Sequence, residues 1–257
     1  MSAAAARWLL VALLLAGCAT TEPIRLDFSR PLVLLGEVHD NAAQHALRLQ
    51  AFDAWLARGG WPALLMEQFD RERQPDIERL RAQQPPADAA ALIAAAGGAG
   101  WDWRYYQPFV ERALRHDLPL VAVNVSRADA RRVMSEGLAA QGFDAAVPAA
   151  VSAAIAQAIQ ASHCGQVDAA TAQRMALAQV ARDQFMARAV AAHAGRGVLL
   201  LAGNGHVRAD IGVPRWLDAA TRARSQAIGL IEVGDDSGAV FDLVLRTAAQ
   251  PRRDPCR

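Results

Sequence analysis

No lysine occurs in this 257-residue sequence, so all 27 of its basic side chains are arginines. Against 26 acidic residues they leave a formal net charge of +1, which does not build the basic field that nucleic-acid binding requires. Aromatic residues are scarce at 6%, and the two tyrosines are neighbours, Tyr105 and Tyr106. The sequence has no Gly-Lys-Ser/Thr phosphate loop, no dinucleotide glycine fingerprint and no zinc-ribbon cysteine pair. It also lacks a Gly-x-Ser-x-Gly nucleophile elbow and a His-Glu-x-x-His helix. Beyond the N-terminus there is no long apolar run, so no membrane-spanning helix is expected.

What is present begins with an address. Arg7 precedes the short apolar run Trp8 to Leu15, followed by small residues and Cys18. That order reads as a secretory signal, too short to span a bilayer. Leu15-Ala16-Gly17-Cys18 resembles the bacterial lipobox, which makes Cys18 the acylated first residue of the mature chain and anchors it without a span. Ala19 after it resembles the outer-membrane sorting pattern. The expected organisation is a signal peptide over 1–17, a lipid-anchored tether over 18–29 and one domain over 30–257. Of the three cysteines, Cys164 and Cys256 then remain, and an even remainder in an oxidising compartment predicts one disulfide tying down the C-terminal tail.

The domain alternates apolar strands with amphipathic helices. Pro31 to Leu35, Ala63 to Glu67, Leu118 to Val125 and Gly197 to Ala202 read as buried strands. Asp40-Asn41 is placed to cap a helix carrying His45, Leu49, Phe52 and Leu56 on one stripe, with Gln44 three residues after Asn41. Arg71 to Gln84 reads as a polar helix, and Ala87 to Gly100 as a short helix or flap. Further helices are expected over Tyr106 to Arg115, Ala128 to Ala140, Val151 to Ala161 and Ala169 to Ala194. The implied class is α/β: a mostly parallel central sheet flanked by helices, with a helical lobe over about 128–194. Ser225 to Val233 and Ala239 to Arg246, separated by Asp235-Asp236-Ser237-Gly238, are expected to close it as an antiparallel strand pair.

Polar residues stand at the ends of several strands. Gly36-Glu37-Val38-His39 and Gly203-Asn204-Gly205-His206 follow two of them, and strand alternation would put Glu37 with His39, and Asn204 with His206, on shared faces. Glu67 and Asn124 end two more. Ligands of open α/β sheets bind beyond the carboxyl ends of strands, so these residues mark a cleft. Glu37 can serve there as a base, a metal ligand, a partner of a cation or a helix-capping carboxylate. Arg182 interrupts the apolar stripe Met175, Ala178, Phe185 and Ala189. It either pairs with Asp183 or Glu37 or holds a ligand's carboxylate or phosphate. Trp101 to Phe109 concentrates aromatics into a core segment or a cleft wall. His163 stands beside Cys164, whereas His45, His116 and His193 read as helix-borne residues without a defined partner.

Leu34-Leu35-Gly36-Glu37-Val38-His39-Asp40-Asn41, Met66-Glu67-Gln68-Phe69, Trp103-Arg104-Tyr105-Tyr106-Gln107-Pro108 and Gly203-Asn204-Gly205-His206-Val207-Arg208 occur in this order. With Gln179, Arg182-Asp183, Met186-Ala187 and Gly212-Val213-Pro214, they resemble the ChaN family of haem-binding lipoproteins over roughly residues 30 to 246. That family's wider superfamily includes Tiki-type proteases, TraB-type proteins and erythromycin esterases. The resemblance implies an outer-membrane, lipid-anchored protein of haem and iron uptake, a dimer with stacked haems and a haem-uptake receptor as partner. It also implies tyrosine ligation of the iron, here by Tyr105 or Tyr106, with propionates held by arginines such as Arg104 or Arg208 where lysine is missing, and with His163 as a further haem contact. The absence of Cys-x-x-Cys-His makes any haem noncovalent. The alternative is a metal-dependent hydrolase, with Mn²⁺, Co²⁺ or Zn²⁺ on His39, Glu67 and His206, and with Glu37 and Arg182 as its catalytic residues.

Overall fold

The computed structural model describes residues 26–253 and Cys256. The expected signal peptide and the lipidation of Cys18 lie outside the described residues. Strands β1 (Leu32–Leu35), β2 (Ala63–Asp70), β3 (Leu120–Asn124), β4 (Val198–Leu201), β5 (Ser225–Glu232) and β6 (Leu243–Thr247) form one six-stranded sheet in the order β3-β2-β4-β1-β5-β6. Every pairing is parallel. The chain moves outward from β1 to β2 and β3, then returns to insert β4 between β2 and β1. The strand-end cleft opens where that direction reverses.

Strand alternation sorts the core. Val33, Leu35, Leu199 and Leu201 face one apolar layer, whereas Leu32, Leu34, Val198 and Leu200 face the other. Each such aliphatic side chain contributes roughly 1.5–3 kcal/mol by leaving water. The first layer is closed by α1 (Ala42–Ala57), α2 (Gln74–Arg81), α3 (Ala89–Ala96) and α4 (Trp103–Arg115). Helix α1 starts as expected. Asn41 Oδ1 accepts the Gln44 amide at 3.2 Å, and the Gln44 side chain reaches back to accept the Val38 amide at 2.7 Å.

The expected helical lobe is α5 (Arg127–Glu136), α6 (Ala149–Ser162) and α7 (Ala169–His193). Helix α7 belongs to two cores. Its first half packs Ala172, Ala176, Val180 and Ala181 into the lobe, and its second half lays Met186, Ala187 and Val190 on the sheet. Two short helices, α8 (Asn204–Val207) and α9 (Ala219–Arg224), follow β4.

The C-terminal pair departs from expectation. β6 runs parallel to β5, with Ile228 opposite Leu243, rather than antiparallel. The expected turn forms only a 3-10 segment, Ser237–Val240. The connection then runs back along β5 until Asp242 bonds both backbone groups of Ala227, at 2.8 and 2.7 Å. Gly229 leaves room for the Phe241 ring on this return, because a Cβ there would meet it at 2.6 Å.

Cys164 and Cys256 are joined as expected, 92 residues apart with Cα atoms at 5.3 Å. Loop-closure entropy for such a span is on the order of 4 kcal/mol. Cys256→Ser should therefore lower unfolding stability by up to about 4 kcal/mol in urea titrations, and reductant should have the same effect on the wild type. Equal urea midpoints with and without reductant would contradict the bridge's stabilising role.

Candidate functional site

The two glycine motifs meet because β1 and β4 are neighbours, with Leu35 opposite Leu201. Past the last paired residues, each chain passes close over the other. A Cβ on Gly36 would lie 2.3 Å from Asn204 Oδ1, and one on Gly203 would lie 2.8 Å from the His39 ring. The Asn204 amide donates to the Glu37 carbonyl at 3.0 Å, and the Gly203 amide donates to Glu67 at 2.8 Å. The alternation expected for Asn204 and His206 does not hold, because the chain turns into α8 after Gly203. Asn204 consequently bonds the Leu230 carbonyl of β5, whereas His206 turns towards β2 and α7.

Two buried charge centres result. The first surrounds Glu37, whose carboxylate receives Arg48 on one oxygen and Tyr106 Oη at 2.5 Å on the other. His39 Nδ1 lies 3.0 Å from that second oxygen. Arg48 is fully buried and went unrecognised in the sequence, although its place three residues after His45 puts it beside the inward stripe of α1. Burial pulls the Arg48 guanidinium down to about 10. Burial likewise holds the Tyr106 phenol well above the ordinary value, hence neutral and able to donate.

The second centre is a histidine between two carboxylates. His206 Nδ1 lies 2.6 Å from Asp183 and its Nε2 3.2 Å from Glu67, with Gln179 at 2.9 Å. Burial disfavours the imidazolium, but the two carboxylates outweigh it and raise His206 to about 10. Burial pushes Glu67 up, yet His206 and the Gly203 amide leave it at about 2. Burial lifts Asp183 to about 6. The expected pairing of Asp183 or Glu37 with Arg182 is not formed, since both carboxylates are engaged elsewhere.

Beyond these centres lies a cleft of about 810 Å³, within the range typical of small-molecule sites. His39, Trp101, Tyr105, Arg127, Gln179 and Arg182 are among the residues that line it. The Tyr105 ring stacks on His45, with centroids at 4.3 Å and planes 1° apart. Its hydroxyl has no hydrogen-bond partner among the described residues. His45, expected to lack a partner, donates from Nε2 to the His39 carbonyl at 2.9 Å, and burial lowers its pKa so that the ring stays neutral.

Other expected site residues lie elsewhere or are committed. Arg104 is exposed and forked onto Asp102, and Arg208 is forked onto Asp210. His163 ends α6 at the surface, bonded to the Ile159 carbonyl beside the disulfide, and is outside the cleft lining. The metal set does not assemble either. Both His206 ring nitrogens face carboxylates as an imidazolium, and His39 turns Nδ1 to Glu37. No group of three or more metal-ligating side chains converges among the described residues. Glu37 is buried, with Arg48 and His45 beside one carboxylate oxygen and Tyr106 and His39 beside the other.

The family model of haem-binding uptake proteins, Tiki superfamily, ChaN, matches residues 29–217. Among solved structures, the Campylobacter jejuni ChaN with cofacially bound haem superposes with a TM-score of 0.70 at 20% identity. That alignment covers 84% of this chain and 86% of that one. An erythromycin esterase mutant in its open conformation reaches a TM-score of 0.44 at 13% identity, covering 79% and 70% of the two chains. The type III effector HopBA1 reaches 0.46 at 14%, covering 86% and 88%. No curated protein sequence matches the chain.

The charged sandwich makes stability depend on pH in a defined direction. Because His206 is raised in the folded state, its contribution is complete below the ordinary 6.5 and is lost as pH rises towards about 10. Glu67, lowered to about 2, stays ionised throughout that window. Urea midpoints should fall across it in the wild type, and His206→Asn should flatten the slope. An equal slope in both proteins would rule out a charged His206.

Proposed function

This chain belongs to the haem-binding uptake family of the Tiki superfamily, ChaN, and from that premise we propose that it binds haem noncovalently in the strand-end cleft. The observation that carries the placement is Tyr105. Its phenol lines the cleft without a partner among the described residues, and its ring is held flat against buried His45. A bound haem would supply a ferric iron, which the Tyr105 phenol oxygen could hold. Tyr106 is unsuited to that role, since its hydroxyl is buried and given to Glu37. The surroundings suit a flat macrocycle: Trp101 and His39 stand edge to face at 4.8 Å, and both line the cleft together with Tyr105.

The biological setting is part of the same proposal. The lipobox-like Leu15-Ala16-Gly17-Cys18 supports a lipid anchor at the outer membrane, where the protein would take up haem and pass it to an uptake receptor. The cofacial haems of the C. jejuni protein support a two-copy assembly in the presence of haem. The hydrolase alternative draws no support from Glu37, which is locked to Arg48 and Tyr106.

Hemin titrated into the purified mature protein should give a saturable Soret shift at micromolar concentration, with the mass rising to that of a dimer. Tyr105→Phe should weaken binding by at least about tenfold, the scale of one strong directed interaction. Tyr106→Phe should keep the shift while lowering stability. Loss of the shift in His39→Gln with retention in Tyr105→Phe would reassign the ligand, and no shift in the wild type would overturn the proposal.

A further inference from the structure

Arginines around the cleft divide into two groups. Arg48 is spent on Glu37, Arg104 on Asp102, and Arg252 on Asp40 and Glu232. Arg127, at the first turn of α5, and Arg182, in the middle of α7, also line the cleft. Neither has an ion pair or hydrogen bond to any described residue. The carboxylates nearest Arg182 are already used. Glu67 and Asp183 hold His206, and Asp70 accepts from Asn124 at 2.7 Å.

Arg182 is also partly buried, within the apolar stripe of α7. Burial lowers its pKa, Glu67, Asp183 and Asp70 oppose that, and the like charge of Arg127 lowers it further. Arg182 is partly buried beside carboxylates that already serve His206 and Asn124, and exposed Arg127 adds a like charge beside it, so an anion that reaches both guanidiniums gains hydrogen bonds neither makes with a described residue. Each presents a planar fork matched to a carboxylate.

We propose that Arg127 and Arg182 form a clamp for a ligand bearing two carboxylates, and that in the haem complex they hold the propionates. The haem assignment rests on the reading of the cleft given above, whereas the clamp rests on the two unpaired arginines. It replaces Arg104 and Arg208, which are paired to Asp102 and Asp210, as the propionate partners in a chain without lysine.

Three probes separate the clamp from iron ligation: hemin, hemin dimethyl ester, and iron-free protoporphyrin IX followed by its fluorescence. Arg127→Gln and Arg182→Gln should each weaken hemin and protoporphyrin binding about tenfold, and the double variant more. The dimethyl ester should bind wild type and double variant equally. The saturated Soret position should not move, because Tyr105 is intact. Exposed Arg79→Gln serves as the control and should leave all three affinities unchanged. Ester binding to the wild type as tight as that of hemin, or a double variant within threefold of wild type, would overturn the clamp. Arginine-dependent protoporphyrin binding without a hemin Soret shift would keep the clamp and remove the iron-ligation reading. Binding of none of the probes would remove both.

Discussion

The structure depends on the close crossing of two chain segments just beyond the paired ends of β1 and β4. Gly36 has no side chain where Asn204 and Val207 sit, and Gly203 has none where the His39 ring sits. Adding a methyl group on either side would require one segment to retreat by more than a well-packed core allows. This proximity lets the Gly203 amide hold Glu67 and the Asn204 amide hold the Glu37 carbonyl. Both charge centres therefore gather at the carboxyl ends of β1, β2 and β4, with helices α1, α4, α7 and α8 supplying the remaining partners.

The two centres differ in what they leave available. Around Glu37, Arg48 pairs with the carboxylate and Tyr106 donates to it in a buried cluster. Removing one partner from such a cluster leaves a buried charge, so its role is to fix α1 and α4 against the sheet end. Around His206, two carboxylates fix an imidazolium and thereby bring α7 to β2. With these carboxylates engaged internally, Arg127 and Arg182 form no ion pair and the Tyr105 hydroxyl no hydrogen bond among the described residues. The functional character of the cleft follows from these unspent groups.

Much of this architecture was legible in the sequence. The apolar runs of β1, β2, β3 and β4, the Asn41 cap and the Cys164–Cys256 bridge follow from pattern, cap chemistry and cysteine parity. The parallel β5–β6 pair was hidden, because a Ser-Gly turn between two apolar runs suggests a hairpin. Only tertiary contacts, Asp242 on Ala227 and Phe241 over Gly229, show the chain doubling back first. At the site, Glu37, Glu67 and His206 stood out as polar strand ends, but their partners did not. Arg48 looks like an ordinary surface arginine on α1. Asp183 looks like a partner for adjacent Arg182, yet neighbours in a helix point to different faces. Which charges are spent is a property of packing across distant segments, and sequence spacing carries little of it.

The proposed complex has haem in the strand-end cleft at Tyr105, with its carboxylates on Arg127 and Arg182. A crystal structure of the protein grown with hemin tests it most directly. The expected structure has the iron bonded to the Tyr105 phenol oxygen and the propionates paired to the two guanidiniums. Haem bound on another face, or iron bonded to a histidine nitrogen, would contradict it.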